Sequence, residues 1–200
     1  MTITIEILIG KNASEYIEYV SHLRINIFKE YPYLYQGDLE YEKKYVADYT
    51  LHNQAMIAIA KIDGLIAGIS TGIPVISDSK IAQDVKEIFT KQKTEAEKYY
   101  YYGEIMILPE FRGKGLATKL YSAQDKIIKE WGFEHACILT VIRENDHPLK
   151  PKCYNSPNSL WKHLGFFQTG YKTNLHWQTI QSDGNSNDAS NTLELWSKKI

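Results

Sequence analysis

Ile107-Leu108-Pro109-Glu110-Phe111-Arg112-Gly113-Lys114-Gly115-Leu116-Ala117-Thr118 is the stretch whose reading decides the fold. It joins an apolar strand, Tyr99–Leu108, closed by Pro109, to a helix opened by Gly115. Leu116, Leu120, Ala123, Ile127 and Trp131 recur in that helix at spacings of four and three, one apolar stripe stopped by Gly132. The first N–H groups of a helix have no partners within it, and its dipole adds partial positive charge there. Gly113 and Gly115 let the backbone turn tightly and approach a ligand, while Arg112 and Lys114 add charge. Such a turn suits a phosphate group. It is not a GxxxxGK[ST] loop, and Thr118 stands where a dinucleotide fingerprint wants its third glycine.

Working outward, the patterns alternate between strands and helices. Thr2–Ile9 alternates apolar and polar residues, and Gly10 ends it. Ser14 is predicted to cap a helix running to Phe28, with Tyr16, Ile17, Val20, Leu23 and Ile27 on one face. Beyond Pro32, Asp38 is predicted to cap a second helix through Tyr49, with Glu40 and Glu42 in its first turn. Ala55–Lys61 and Leu65–Val75 read as strands joined by an Asp63-Gly64 hairpin turn. Asp78–Lys98, highly charged, reads as a surface helix. Ala136–Ile142 is an unbroken apolar run, as in a strand buried on both faces. A Pro-interrupted loop, Arg143–Pro157, precedes a short helix Ser159–Leu164, and two strands follow, Phe166–Gln178 and Leu193–Lys198. Gln181–Thr192, rich in Ser, Asn, Asp and Gly, reads as a mobile hairpin loop. The whole chain, residues 1–200, is expected to form one α/β (α+β) domain around a mixed, antiparallel-biased sheet.

Composition narrows the class. The 200 residues suffice for one compact core, and 44% apolar with 24% charged residues is ordinary for a globular domain. A formal net charge of −1 gives no global field for nucleic acid or an anionic membrane, so neither is expected as a partner. No apolar run approaches the ~18–20 residues needed to span a bilayer, and the start lacks a basic segment. The two cysteines, Cys137 and Cys153, form no CxxC pair and fit a reduced, cytoplasmic chain. The six histidines show no metal-ligand spacing, so no metal is expected.

Arg-x-x-Gly-x-Ala, from Arg112 through Gly115 to Ala117, after a strand ending Ile-Leu-Pro, resembles the signature of the GNAT superfamily of N-acetyltransferases. The helix after it, the buried strand Ala136–Ile142 and the Trp161-Lys162-His163-Leu164-Gly165-Phe166 helix end occur in that family's order and spacing, so the resemblance covers Tyr99–Gly170. It implies a mostly antiparallel sheet of roughly seven strands flanked by helices and splayed at the cofactor strand. It also implies acetyl-coenzyme A as co-substrate. Backbone amides of Arg112, Gly113, Lys114, Gly115, Leu116, Ala117 and Thr118 would bind the pyrophosphate. The strand edge Ile105, Met106, Ile107 and Leu108 would pair with the pantetheine arm, and the Ile107 amide would polarise the thioester carbonyl. The acceptor would be a primary amine of a small molecule or a protein, acetylated by direct attack in a ternary complex. A non-catalytic acyl-CoA-binding module of the same fold is the alternative.

An amine must be neutral to attack, and the departing thiolate is helped by a proton. Glu104 stands where many relatives carry a carboxylate base, which burial would tune. Relatives often carry a Tyr four residues before the Gly of the Gly-Phe pair; here that position is Trp161, whose indole cannot act as an acid near neutrality. Tyr154 and His147, both in the long loop after the buried strand, are the candidate acids, and solvent is the alternative. Tyr33, Tyr35 and Asp38 between the first two helices, with Arg143 and Asp146 in the long loop, are candidate acceptor contacts. Aromatic faces beside carboxylates would suit a cationic amine. The Asp146-His147-Pro148 loop and the Tyr33 to Glu42 segment also resemble a little-characterised bacterial branch of the family. Exposed sheet edges allow a homodimer.

Overall fold

The computed structural model describes all 200 residues, in the order β1 (Ile3–Ile9), α1 (Ile17–Phe28), α2 (Leu39–Tyr49), β2 (Met56–Ile62), β3 (Leu65–Pro74), α3 (Lys80–Gln92), β4 (Tyr99–Tyr101), β5 (Ile105–Ile107), α4 (Leu116–Glu130), β6 (His135–Val141), α5 (Asn158–His163), β7 (Phe167–Ile180) and β8 (Ser186–Lys199). The eight strands make one sheet in the order β1-β2-β3-β4-β6-β8-β7, with β5 also on β3. Every pairing is antiparallel except β4 with β6. This is the mixed, mostly antiparallel architecture expected.

One face of the sheet buries Val20, Leu23 and Phe28 of α1, Val46 and Tyr49 of α2, and Val85, Ile88 and Phe89 of α3. On the other face, Tyr121 and Ile128 of α4 and Trp161 of α5 pack on Tyr100, Tyr102, Ile138 and Trp196. No helix is long and apolar enough to cross a membrane.

Three boundaries differ from the sequence reading, each for a physical reason. Gly10–Tyr16 is a 3-10 segment, and α1 starts only at Ile17; the Ser14 hydroxyl donates 2.7 Å to the Lys11 carbonyl and caps nothing. The charged helix α3 is shorter than expected, ending where Lys93 turns left-handed, and its apolar residues Ile81, Ala82, Val85, Ile88 and Phe89 are buried. The supposed mobile loop Gln181–Thr192 is largely strand: β8 begins at Ser186 and pairs with β7 through Ile180↔Ser186. Its polar composition reflects an exposed hairpin held by cross-strand contacts. Thr192 Oγ1 donates 2.9 Å to Asn174 Oδ1, and Asn191 donates 3.0 Å to Thr179.

The difference that matters most lies within Tyr99–Leu108. It reads as one strand but is broken at Tyr102–Glu104 into β4 and β5. β4 keeps company with β6 through Tyr101↔Cys137, and Tyr102 N–H still donates to the Cys137 carbonyl at 2.9 Å. β5 stays with β3 alone. Beyond Cys137 the edge of β6 facing β5 has no ladder partner, so the sheet splays open there.

Candidate active site

The splay is the wall of a cavity of about 1060 Å³ lined by Ile105 and Ile107 on one side and Ile138, Leu139, Thr140 and Val141 on the other. Thr71 N–H donates to the Glu104 carbonyl at 3.0 Å and Leu108 N–H to the Ala67 carbonyl at 3.0 Å. Antiparallel pairing alternates, so the N–H groups of Ile105 and Ile107 between them turn away from β3 into the gap. The Ile107 carbonyl accepts from Arg112 Nε at 3.1 Å.

The same cavity runs to the start of α4, past Arg112, Gly113, Gly115, Leu116, Ala117 and Thr118. Gly113 and Gly115 sit at φ +75° and +73°, and a Cβ on either would meet nothing within 4 Å. None of the backbone N–H groups from Gly113 to Thr118 has a partner inside the chain. Left-handed glycines, free amides and a helix N-terminus make a cradle for a phosphate group. The side chains contribute less charge than expected. Arg112 makes a bidentate pair with Glu30, at 2.9 and 3.1 Å. Lys114 lies over the Phe111 ring at 5.1 Å and does not line the cavity. Met106 and Leu108 do not line it either; Met106 is fully buried in the core.

Glu104 follows the break and is buried, 7% exposed. Arg24, reaching from α1, donates through Nη1 to Glu104 and through Nε to Glu42. Tyr45 donates to Glu104 Oε1 at 2.9 Å and Tyr49 to Oε2 at 3.0 Å; the Thr71 hydroxyl bonds the same oxygen. Glu104 thus accepts four hydrogen bonds, two on each oxygen. Burial is the condition the sequence reading sets for a base at this position; the charge-assisted cage lies outside that reading. It raises the Tyr45 and Tyr49 hydroxyls well above their usual values, by burial first and by the Glu104 charge second. Gly103 makes the cage possible, because a Cβ there would fall 2.1 Å from the Tyr49 hydroxyl.

A second cavity, of about 800 Å³, lies on the opposite side and is lined by Tyr33, Tyr35, Tyr45, Tyr101 and Trp177. The two cavities share Phe28, Tyr33, Gly103, Glu104 and Leu139. Glu104 therefore stands at the seam, accessible in principle from both.

The remaining expected residues divide. Tyr33 and Tyr35 line the second cavity, and Tyr35 donates to Glu42 at 2.6 Å. Tyr154 lines the first and stacks edge-on with Tyr31 at 4.6 Å; burial, then Tyr31, lifts its hydroxyl to about 12. His147 lines neither cavity. Its Nδ1 accepts from Leu149 N–H at 3.2 Å, and burial followed by Arg143 lowers its basicity. Asp38 is occupied as the cap of α2, accepting from Tyr41 N–H at 2.9 Å. Arg143 is spent on the carbonyls of Pro32 and Tyr33, at 2.7 and 3.0 Å. Asp146 is an exposed loop residue. These last three support the site or stand outside it and line neither cavity. Trp161 lines the first cavity with its Nε1 buried and unpartnered.

The sheet is splayed between β5 and β6, with the free amides at the start of α4 at one end of the gap and the buried Glu104 carboxylate at the other. Residues 23–150 match the model of the acetyltransferase (GNAT) family, and the chain belongs to that family. It is an acyltransferase. No curated protein matches the sequence. The fold is shared with solved structures of low identity. Ribosomal-protein-S18-alanine N-acetyltransferase from Escherichia coli is 12% identical, with a TM-score of 0.58 over 100% of this chain and 94% of that one. Ribosomal-protein-alanine N-acetyltransferase from Brucella melitensis is 10% identical, with a TM-score of 0.62 over 100% of both. Salmonella typhimurium yncA, solved with its cofactor acetyl-CoA, is 11% identical, with a TM-score of 0.59 over 100% and 94%. No group of three or more His, Cys, Asp or Glu is arranged to hold a metal ion.

Proposed function

We propose that this chain transfers acetyl from acetyl-CoA to a primary amine, of a small molecule or a protein, by direct attack in a ternary complex. The observation that carries this reading is the meeting of two separate cavities at Gly103 and Glu104. One has the cradle for a phosphorylated thioester, and the other leaves room for an acceptor to approach from the opposite side.

The free amides of Gly113–Thr118 would hold the pyrophosphate, and the outward groups of Ile105 and Ile107 would pair with the pantetheine arm. When bound, acetyl-CoA supplies the activated acyl carbon and a thiol leaving group. The Ile107 N–H, aimed into the gap, serves as a fixed donor to an oxygen developing charge. Glu104 would draw the acceptor's ammonium to the seam by its charge; since Arg24, Tyr45, Tyr49 and Thr71 occupy both its oxygens, it would take a proton only by giving up one of those bonds, and the Tyr45 hydroxyl on Oε1 is the one that reaches the second cavity. Tyr154, a neutral phenol in the first cavity, is the candidate proton donor on the leaving side. The cytoplasm, which supplies acetyl-CoA and keeps Cys137 and Cys153 reduced, is the compartment this reading favours, in a bacterial cell. The outer edge of β7, covered by Leu34–Gln36 at Gln178–Ile180 and without a ladder partner before that, offers a surface for a homodimer.

Intact-mass analysis with acetyl-CoA tests the mechanism. Direct attack predicts no acetylated enzyme without an acceptor, and thiol release only when an amine is added. An acetyl adduct on the protein that transfers to the amine would overturn it.

A further inference from the structure

Where the two cavities meet, one side chain has an unused polar group. Phe28, Tyr33, Gly103, Glu104 and Leu139 line both. Phe28 and Leu139 are apolar, Gly103 has no side chain, and both oxygens of Glu104 are taken up by Arg24, Tyr45, Tyr49 and Thr71. Tyr33 makes hydrogen bonds only through its carbonyl, which accepts from Arg143 Nη2 at 3.0 Å and from Trp177 Nε1 at 3.2 Å. Its hydroxyl is free, whereas those of Tyr35, Tyr45 and Tyr49 are each bonded to a carboxylate.

The ring that carries this hydroxyl is held firmly. It packs on Phe28 at 4.5 Å and on Trp177 at 6.4 Å. The next residue, Leu34, takes φ +53° and is pinned on both sides: its N–H donates 3.0 Å to the Glu30 carbonyl, and its carbonyl accepts 2.7 Å from Ile180 N–H. A non-glycine residue persists in that conformation where its surroundings fix it. Burial first and the Glu104 charge second push the Tyr33 hydroxyl up to about 12, with Arg24 opposing and Tyr154 adding. After burial, Tyr33 is in turn the foremost influence raising Tyr121, a residue of α4 that lines the first cavity. The phenol thus stands among Glu104, Arg24, Tyr154 and Tyr121, neutral at ordinary pH.

An ammonium loses one proton before it can attack; the attacking nitrogen then loses a second, and the departing sulfur gains one. The Trp161 indole is no acid, and Tyr154 lines the first cavity alone, on the sulfur's side and not the amine's. A hydroxyl is both donor and acceptor, and Tyr33 faces both sides. We propose that the Tyr33 hydroxyl is a catalytic group that carries the second proton from the amine to the sulfur. Its oxygen takes the N–H proton of the attacking nitrogen while its own proton goes to the sulfur. The C–N bond forms, the C–S bond breaks, and the phenol ends as it began. Arg143 and Trp177 are positioning residues for this step, because they fix the Tyr33 carbonyl.

The shuttle rests on the acetyl-transfer reading, so the first measurement uses no acceptor. Tyr33→Phe keeps the ring and removes a hydroxyl bonded to nothing in the chain, so the melting temperature should not move. Coenzyme A and desulfo-coenzyme A are titrated by calorimetry into the full chain at pH ~7 and pH ~9.5, a span over which a thiol ionises. A hydroxyl donating to the thiolate favours it, so the ratio of coenzyme A affinity at high pH to that at low pH should fall at least ~threefold in Tyr33→Phe. The ratio for desulfo-coenzyme A, which lacks the sulfur, should stay. The second measurement is thiol release from acetyl-CoA with propylamine, benzylamine or an alanyl peptide, whichever the wild type turns over best. Tyr33→Phe should lower kcat at least ~30-fold and change KM for the amine less than ~threefold. An unchanged affinity ratio overturns the proposal, as does an unchanged kcat or a ratio that falls in Tyr154→Phe and not in Tyr33→Phe. A fallen ratio with no thiol release by the wild type overturns acetyl transfer, and the shuttle with it, while the contact between hydroxyl and sulfur stands.

Discussion

Arg24 and Glu104 are 80 residues apart in sequence and form a buried ion pair, Nη1 to Oε1, across the seam between the two cavities. The pair ties α1 to the break between β4 and β5, where the two cavities meet. Removing Arg24 would strand two carboxylates in a low-dielectric site, whereas removing Glu104 leaves Arg24 paired with Glu42.

Glu104→Gln keeps the shape and discards the charge. It should lower the unfolding free energy by about 1–3 kcal/mol, the cost of weakened buried hydrogen bonds, since Arg24 keeps Glu42 as its counter-ion. Turnover should collapse while acetyl-CoA affinity stays within a few-fold. Denaturant titration and calorimetry on the same preparation check both; unchanged turnover would remove Glu104 from the mechanism.

Gly103→Ala places a methyl 2.1 Å from the Tyr49 hydroxyl. Something must move, and the Tyr49 bond to Glu104 at 3.0 Å is the contact in its way. A loss of about 1–3 kcal/mol is expected, as for other overpacked sites. Combining Gly103→Ala with Tyr49→Phe should restore less than the full amount, because the ring remains.

Glu30→Gln releases Arg112 from its exposed bidentate pair. Stability should change by less than ~1 kcal/mol. Acetyl-CoA affinity should rise severalfold at low salt, since the guanidinium no longer has a competing carboxylate, and the gain should shrink as salt is added. Weaker binding would show that Glu30 positions Arg112 and does not compete with phosphate.

The pH dependence of the long loop follows from His147, whose basicity is lowered by burial first and Arg143 second. Its folded value lies below the unfolded one of ~6.5. The associated stability is present above pH ~6.5 and lost as pH falls through the folded value. Melting temperatures of wild type and His147→Gln should therefore converge on acidification from pH 7 to 5. Tyr154, lifted to about 12, stays protonated through ordinary assay conditions, so an alkaline limb below pH 11 would belong to another group.

Much of the fold was legible because its patterns are local. The Arg112–Thr118 turn, the stripe of α4 and the cap at Asp38 each state their geometry within a dozen residues. The cage around Glu104 was only half legible. Glu42, Tyr45 and Tyr49 recur at helical spacing with buried Val46, and Arg24 interrupts the apolar face of Val20 and Ile27, so a charged cluster between α1 and α2 could have been read there. Thr71 and Gly103 carried no such signal, because their roles depend on where β3 and the broken strand meet. His147, Arg143 and Asp146 looked functional as a charged, Pro-stiffened loop; in the fold, Arg143 is consumed in holding the Tyr31–Tyr33 segment. The polar β7–β8 hairpin looked like a loop because composition reports solvation and not pairing.

Titrating acetyl-CoA into the wild-type chain and into Gly115→Ala tests the central claim most directly. Gly115 holds φ +73°, a conformation a side chain strains, so alanine there would disturb the turn that presents the free amides. Micromolar binding by the wild type with at least a tenfold loss in the variant is the expected result. No measurable binding, or equal affinity in the two proteins, would contradict it.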